Sequence, residues 1–255
     1  MRKKLYVDGV DLSTFGLYIS GQGTFGSGAK EYTYYNVPGR DGAVLGVNSR
    51  LENVSVTYPG FIYAQFDQNM RDLRSFLLSR SGYVRIEDDY DNTHFRMGVF
   101  EEPISPDVTP VNDAGRFDLV FNCLPQRWLK SGDTPLVLTA DYDMVNPTQF
   151  AAKPFLRVYG TGRNIVQFNR PDGNHIGLRI EDAVSTDLGF SYVDIDCETM
   201  QAYNGDTNLN QYVYFFSFSQ TEEFLDFIWL YPGTTEIGFP GTEKHLEITP
   251  RFWEA

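Results

Sequence analysis

Three carboxylates alternate along Asp194-Ile195-Asp196-Cys197-Glu198, and a period of two puts all three on one face of a strand. A glycosidase sets two carboxylates about 5 to 9 Å apart across the scissile bond. Hard cations also favour clustered oxygens. Neighbours on one strand face could meet either need, but an outward polar strand side accounts for the same residues, so no catalytic or metal role is assigned to them. The acidic run Glu87-Asp88-Asp89-Tyr90-Asp91-Asn92 lacks the alternate spacing, central glycine and closing glutamate of a calcium loop and reads as a solvated turn. His94, His175 and His245 stand alone, with no His-Glu-x-x-His and no Gly-x-Ser-x-Gly, so each reads as a surface or strand residue. The glycine-rich segment Gly21–Gly28 lacks the Lys-Ser/Thr ending and the helix of a phosphate loop. Trp229, Tyr231 and Trp253 could stack on sugars if exposed and are the candidate glycan contacts, although core packing explains them too. The expectation is a protein without catalytic residues, metal or cofactor.

The elements that would carry these residues are mostly strands. Aromatics make up 15% of the chain, and 23 Gly and 13 Pro demand frequent turns, which favours an all-β protein with short strands. The net charge of -13 is uneven: about -2 over residues 1–130 and about -11 over 131–255. That asymmetry suggests two domains, 1–133 and 134–255, joined near Lys130–Pro135. An acidic second half argues against sequence-reading contact with nucleic acid, which needs a basic footprint. It does not exclude DNA passing nearby ungripped. The two cysteines, Cys123 and Cys197, fall on apolar strand faces, read as buried thiols, and are not expected to pair. Met1–Lys4 is basic but no apolar run follows, so no signal peptide and no membrane insertion are expected, and synthesis in the cytosol is.

Along the chain, Leu5–Val7 reads as a first strand and Asp11–Ile19 continues with a second. Phe66, Met70, Leu73 and Leu77 fall at i, i+4, i+7 and i+11, which predicts one amphipathic helix over Asp67–Arg80, capped by Asp67 and supported by an Asp67–Arg71 pair. It would cap a barrel or cover one sheet face. Phe117, Leu119, Phe121 and Cys123 share one strand face. In the second half Ile176/Leu178/Ile180, Val193/Ile195/Cys197 and Leu246/Ile248 alternate with polar or small residues, and Tyr212–Phe218 is an aromatic strand. Pro171–Asn174, Asn204-Gly205 and Tyr231-Pro232-Gly233 separate strands. The expectation is a two-layer antiparallel sandwich or jelly roll.

The stretch Val37–Gly46 lies between Tyr32-Thr33-Tyr34-Tyr35 and Leu51–Tyr58, both of which read as strands, so it reads as the end of a long hairpin. Pro38, Gly39 and Gly42 suit a tight turn, with Arg40 and Asp41 at its exposed tip. A charged tip on a long hairpin fills a core poorly but suits reaching a neighbouring subunit. Gly39, Arg40, Asp41 and Gly42 are therefore the candidate oligomer contact.

The order of motifs resembles the distal tail protein (Dit) family of siphophages and prophages that infect Gram-positive bacteria. The matching residues are Asp8-Gly9-Val10-Asp11-Leu12, Pro38-Gly39-Arg40-Asp41-Gly42, Leu73-Arg74-Ser75-Phe76-Leu77, Phe121–Pro125, Asn146-Pro147-Thr148, Tyr159–Gly162, Ile195–Met200, Leu230–Gly233 and Ile248–Trp253. Thr234-Thr235 departs from the family pattern. The resemblance implies an N-terminal split-barrel-like belt domain with the hairpin and helix, and a C-terminal galectin-like, carbohydrate-binding-module-like sandwich that docks other proteins. It also implies a virion part, not an enzyme: a homo-hexamer ring at the tail tip through which DNA passes unread. The implied partners are the tail tube protein, the tape measure protein, a tail-associated fibre or lysin protein, and receptor-binding or baseplate proteins. The alternative is a host-surface glycan-binding module.

Overall fold

The computed structural model describes residues 2–20, 24–101, 103–109, 113–217, 223–224, 227–240 and 245–255. Gly21, Gln22 and Gly23 of the glycine-rich segment and Phe218 of the aromatic strand lie outside these. The described chain forms two compact units, Met1–Arg127 with Ala255, and Trp128–Glu254.

The first unit contains strands β1 (Leu5–Val7), β2 (Val10–Asp11), β3 (Leu17–Ile19), β4 (Lys30–Asn36), β5 (Ala43–Leu51) and β6 (Val54–Ile62), helix α1 (Phe66–Leu78), then β7 (Val84–Asp88), β8 (Asp91–Phe100), β9 (Asp107–Thr109) and β10 (Ala114–Cys123). Seven strands follow the order β2-β1-β7-β8-β10-β6-β3. The sheet curls until its ends meet, where Ile19 N–H donates to the Lys3 carbonyl at 3.0 Å. The second strand expected over Asp11–Ile19 is interrupted: Asp11 caps a short 3₁₀ turn at Leu12–Phe15, and Gly16 ends it. The cap side chain satisfies a turn donor, which competes with strand pairing.

Helix α1 closes onto this barrel. Its stripe of Phe66, Met70, Leu73 and Leu77 is buried, each side chain contributing about 1.5 to 3 kcal/mol by leaving water. Its N-terminus differs from the expectation. Asp67 lies inside the first turn, Gln65 occupies the cap position in the left-handed region, and Asp113, far along the chain, accepts from Phe66 N–H at 3.1 Å. A cap supplied from just before β10 is invisible to local pattern reading. The i,i+4 contact is Gln68 to Asp72, not Asp67 to Arg71. A side chain at Gly115 would collide with the Phe66 ring, so the glycine permits the helix start to sit against β10.

The second unit is a sandwich of two antiparallel six-stranded sheets. One has the order β12-β23-β14-β17-β18-β19 and the other β13-β22-β15-β16-β20-β21. The sandwich strands are β12 (Leu136–Leu138), β13 (Tyr142–Asn146), β14 (Phe155–Tyr159), β15 (Gly162–Asn169), β16 (His175–Ile180), β17 (Tyr192–Asp196), β18 (Gln201–Asn204), β19 (Thr207–Asn208), β20 (Val213–Ser217), β21 (Glu223–Phe224), β22 (Gly233–Gly238) and β23 (Leu246–Thr249), with a four-residue helix α2 (Ala183–Thr186) before β17, while β11 (Arg127–Leu129) and β24 (Trp253–Glu254) pair with each other outside both sheets. The alternating apolar residues Leu178, Ile180, Val193, Ile195, Cys197, Leu246 and Ile248 join one core cluster, as their period requires. The stretch Lys130–Gly132 is a 3₁₀ turn folded with this unit: Gly132 is buried against Phe252, and its carbonyl accepts from Arg251 N–H. Thr234 and Thr235 lie within β22.

Candidate interaction surface

Strands β4 and β5 form a two-stranded sheet of their own, in register from Tyr32↔Val47 to Asn36↔Ala43. The return arm is Ala43–Leu51, so the true loop is Val37–Gly42 and shorter than the Val37–Gly46 expected. The stretch Leu51–Tyr58 is mostly the start of barrel strand β6 rather than an arm of the hairpin. The cause is the turn chemistry: Gly39 and Gly42 both take positive φ, and Arg40 N–H closes onto the Val37 carbonyl at 3.2 Å, which reverses the chain at once. Gly39, Arg40, Asp41 and Gly42 are exposed at the tip, as the composition suggests.

The apolar residues of this hairpin stay in water. Tyr34 is 68% exposed, Tyr35 58%, Leu45 48% and Val44 38%. Tyr34 faces Leu45 across the ladder, and Tyr35 faces Val44 on the opposite side. A hairpin that buries neither face is marginal by itself in water. An exposed tyrosine paired with an aliphatic residue on each face marks a surface that another molecule can cover.

The remaining candidate chemistry is structural. Asp88 does not sit in a solvated turn: it is 5% exposed and accepts from Tyr58 Oη at 3.0 Å, Thr24 Oγ1 at 2.7 Å and the Tyr90 and Asp91 amides. Burial and the neighbouring Asp88 push the Tyr58 phenol well above its usual range. Asp91 is held by Thr93, His94 and Arg127. Burial disfavours its charge, but the Thr93 hydrogen bonds and the neighbouring His94 and Arg127 outweigh this and bring its carboxyl to about 2. Arg96, buried beside them, donates to the carbonyls of Thr24 and Gly26. This network ties Thr24 and Gly26 of the glycine-rich segment to the barrel. Local reading missed it because its members come from four separate stretches.

In the sandwich β17 ends at Asp196, so Glu198 lies in the following turn rather than on the strand face expected for all three carboxylates, and each of the three has its own cation. Asp194 is buried and held bidentately by Arg157 at 2.7 and 2.9 Å, so it is not an open polar strand side. Asp196 is met by Arg251 at 2.7 Å, and Glu198 by Lys153 at 3.4 Å. Among the described residues no group of acidic, histidine or cysteine side chains is arranged to hold a metal ion. His94 bonds Asp91, His175 bonds Asn169 at 2.7 Å, and His245 stacks on Tyr159. Cys123 and Cys197 are free and buried. The three candidate glycan contacts have different surroundings. Trp229 lies near Lys153, Tyr231 near Arg170, and Trp253 stacks on Phe150 while donating to the Ala151 carbonyl. No described helix is long and apolar enough to cross a membrane.

Comparison with known proteins gives no match to a family model and no match to a curated protein. Solved structures do match. The SPP1 Dit protein, described as a paradigm of the hub adsorption apparatus in phages infecting Gram-positive hosts, superposes with a TM-score of 0.58 at 14% identity, over 97% of this chain and 98% of that one. A chain of the phage P2 baseplate in its activated conformation with calcium matches with a TM-score of 0.51 at 12% identity, over 97% and 98%. This chain therefore has the fold of phage tail hub and baseplate proteins along nearly its whole length.

Proposed function

We propose that the chain is a structural hub protein of a long non-contractile phage or prophage tail, without enzymatic activity. The observation that carries the proposal is the fold likeness to the Dit hub protein, which extends over both units and leaves almost no residue of either chain outside it. The ordered motif series, Pro38–Gly42 above all, supports the same reading. On this proposal six copies form a ring at the tail tip, the first unit makes the ring and lends its hairpin to a neighbour, and the sandwich docks receptor-binding or baseplate proteins. The ring joins the tail tube to the tail-associated fibre or lysin protein, meets the tape measure protein, and lets DNA pass unread. The exposed tyrosines of the β4–β5 hairpin support its role as a subunit contact. Negative-stain microscopy of the purified protein tests this. Six-fold rings are expected, and single-chain particles at every concentration and with co-expressed tail proteins would overturn it.

A further inference from the structure

Among the described residues the β4–β5 hairpin pairs with no barrel strand, yet its root is held on both sides. On the outgoing side Thr24 is buried, its Oγ1 donates to Asp88 at 2.7 Å, and Arg96 donates to the carbonyls of Thr24 and Gly26. Asp88 also accepts from Tyr58 Oη at 3.0 Å. One buried carboxylate therefore ties the segment that enters the hairpin to β6, the strand that follows it. On the returning side Asn53 Nδ2 donates to Tyr83 Oη and to Asn122 Oδ1, each at 2.9 Å. Between the two sides Glu52 N–H donates to the Ala29 carbonyl at 2.8 Å. Gly28 lies so close that a Cβ there would meet the Glu52 carbonyl oxygen at 2.5 Å and Pro125 Cβ at 2.9 Å. The hairpin's own ladder begins only beyond these residues, at Lys30↔Leu51, so pairing of its arms does not require them.

We infer that this root is a clamp that aims the hairpin, with Thr24, Gly28, Asn53 and Arg96 as its positioning residues. Burial and polar bonding concentrate at the root, while Tyr34, Tyr35, Val44 and Leu45 of the arm stay in water. An arm whose faces pack on nothing takes its direction from its attachment. The seven residues of β4, at about 3.3 Å each, make an arm about 23 Å long, so a tilt of about 10° at the root carries the far end about 4 Å. Side chains touch within about 4.0 to 4.5 Å, so that displacement is enough to break a contact at the far end. The clamp resists the tilt because its buried groups, once parted, find no water to replace the lost partner. Fixing the arm beforehand also removes its orientational freedom from the cost of association. The consequence for assembly rests on the proposed subunit contact, whereas the aim of the arm in a single chain does not.

The test places nitroxide labels on the whole chain at Asn36→Cys, at the far end of β4, and Arg116→Cys, on the outer side of β10, both exposed positions. Cys123 and Cys197 are buried, so labelling is selective. Pulsed electron spin resonance reads the separation, with labelled chains diluted into unlabelled ones below the assembly concentration, so that only distances within one chain count. The clamped arm should give one narrow distribution. Thr24→Val removes a hydroxyl from the clamp and Gly28→Ala forces the two sides apart, and each should shift or broaden the distribution by about 4 Å or more. Thr24→Ser keeps the hydroxyl and should keep the narrow distribution, as should Thr186→Val in the sandwich. Unaltered thermal melting shows that a variant still folds. In sedimentation velocity without labels, Thr24→Val should weaken assembly by about 3- to 10-fold, the usual worth of a hydrogen bond, and Thr24→Ser should not. A broad distribution in the parent chain overturns the inference, and so does an unchanged one in both folded Thr24→Val and Gly28→Ala, or a Thr24→Ser arm as loose as that of Thr24→Val. A loosened arm with undiminished assembly upholds the clamp and counts against the hairpin as a subunit contact.

Discussion

The hairpin gives the sharpest perturbation, because two rival sources of subunit contact sit on it. An aromatic side chain offers about 150 to 250 Å², so Tyr34 at 68% and Tyr35 at 58% exposure each leave about 120 Å² in water. At about 25 cal/mol per Å², covering one of them is worth about 3 kcal/mol and covering both about 6 kcal/mol as an upper limit. Ion pairs from Arg40 or Asp41 at a wet rim are worth about 0 to 1 kcal/mol each. The tyrosines, not the charged tip, should therefore carry the contact. Adjacent strand residues point to opposite faces, so a neighbour gripping one face uses only one ring. A loss of about 3 kcal/mol raises the dissociation constant about 100-fold or more, and Arg40→Ala with Asp41→Ala raises it at most about 30-fold. Sedimentation velocity over a dilution series reads both. The expected result is that Tyr34→Ala with Tyr35→Ala shifts assembly far more than the tip pair, and that the single variants differ if one face is gripped. Because β4–β5 is a separate sheet, the melting of the barrel should barely move. Assembly unchanged in the double tyrosine variant, or shifted more by the tip pair, would refute the area argument.

Other outcomes follow from the same geometry. Gly115→Ala forces the Phe66 ring away from β10 and should cost about 1 to 3 kcal/mol in denaturant unfolding. Asp88→Ala strands the buried Tyr58 and Thr24 hydroxyls and should cost about 2 to 3 kcal/mol by the same measurement, more than the loss of an exposed carboxylate such as Asp41. Asp91 has a folded-state pKa below its ordinary 3.8, at about 2, so its stabilising contribution is full above about pH 4 and is lost as pH falls through 2. After screening by solvent this amounts to about 1 kcal/mol, and stability of Asp91→Asn should be flatter across that window. Burial holds the Cys123 thiol up at about 11 and raises that of Cys197 further. A thiol reagent at pH 8 should label neither in the folded protein and both after unfolding.

Periodicity alone made most of the framework legible. The stripe Phe66/Met70/Leu73/Leu77 and the alternation through Phe117–Cys123 are patterns of one chain segment against one core, and each is buried as its period demands. Gly39 and Gly42 announced a tight reversal because their conformational freedom is local. What the sequence could not decide were partnerships across distance. Asp113 capping α1, Asp88 gathering Tyr58 and Thr24, and Arg157 clamping Asp194 each join residues 30 or more positions apart. A carboxylate on an alternating strand looks solvated whether or not a guanidinium waits on the next strand. Only the register, which pairs Arg157 with Asp194, turns an acidic strand side into a neutral one. The same holds for the outer sheet face. Tyr159 and Tyr192 sit on β14 and β17 and His245 immediately precedes β23, and strand order alone makes them neighbours. Local propensity and period belong to the sequence because they act within a few residues. Register, long-range capping and charge pairing belong to the tertiary structure, because their free energy exists only once separate segments meet.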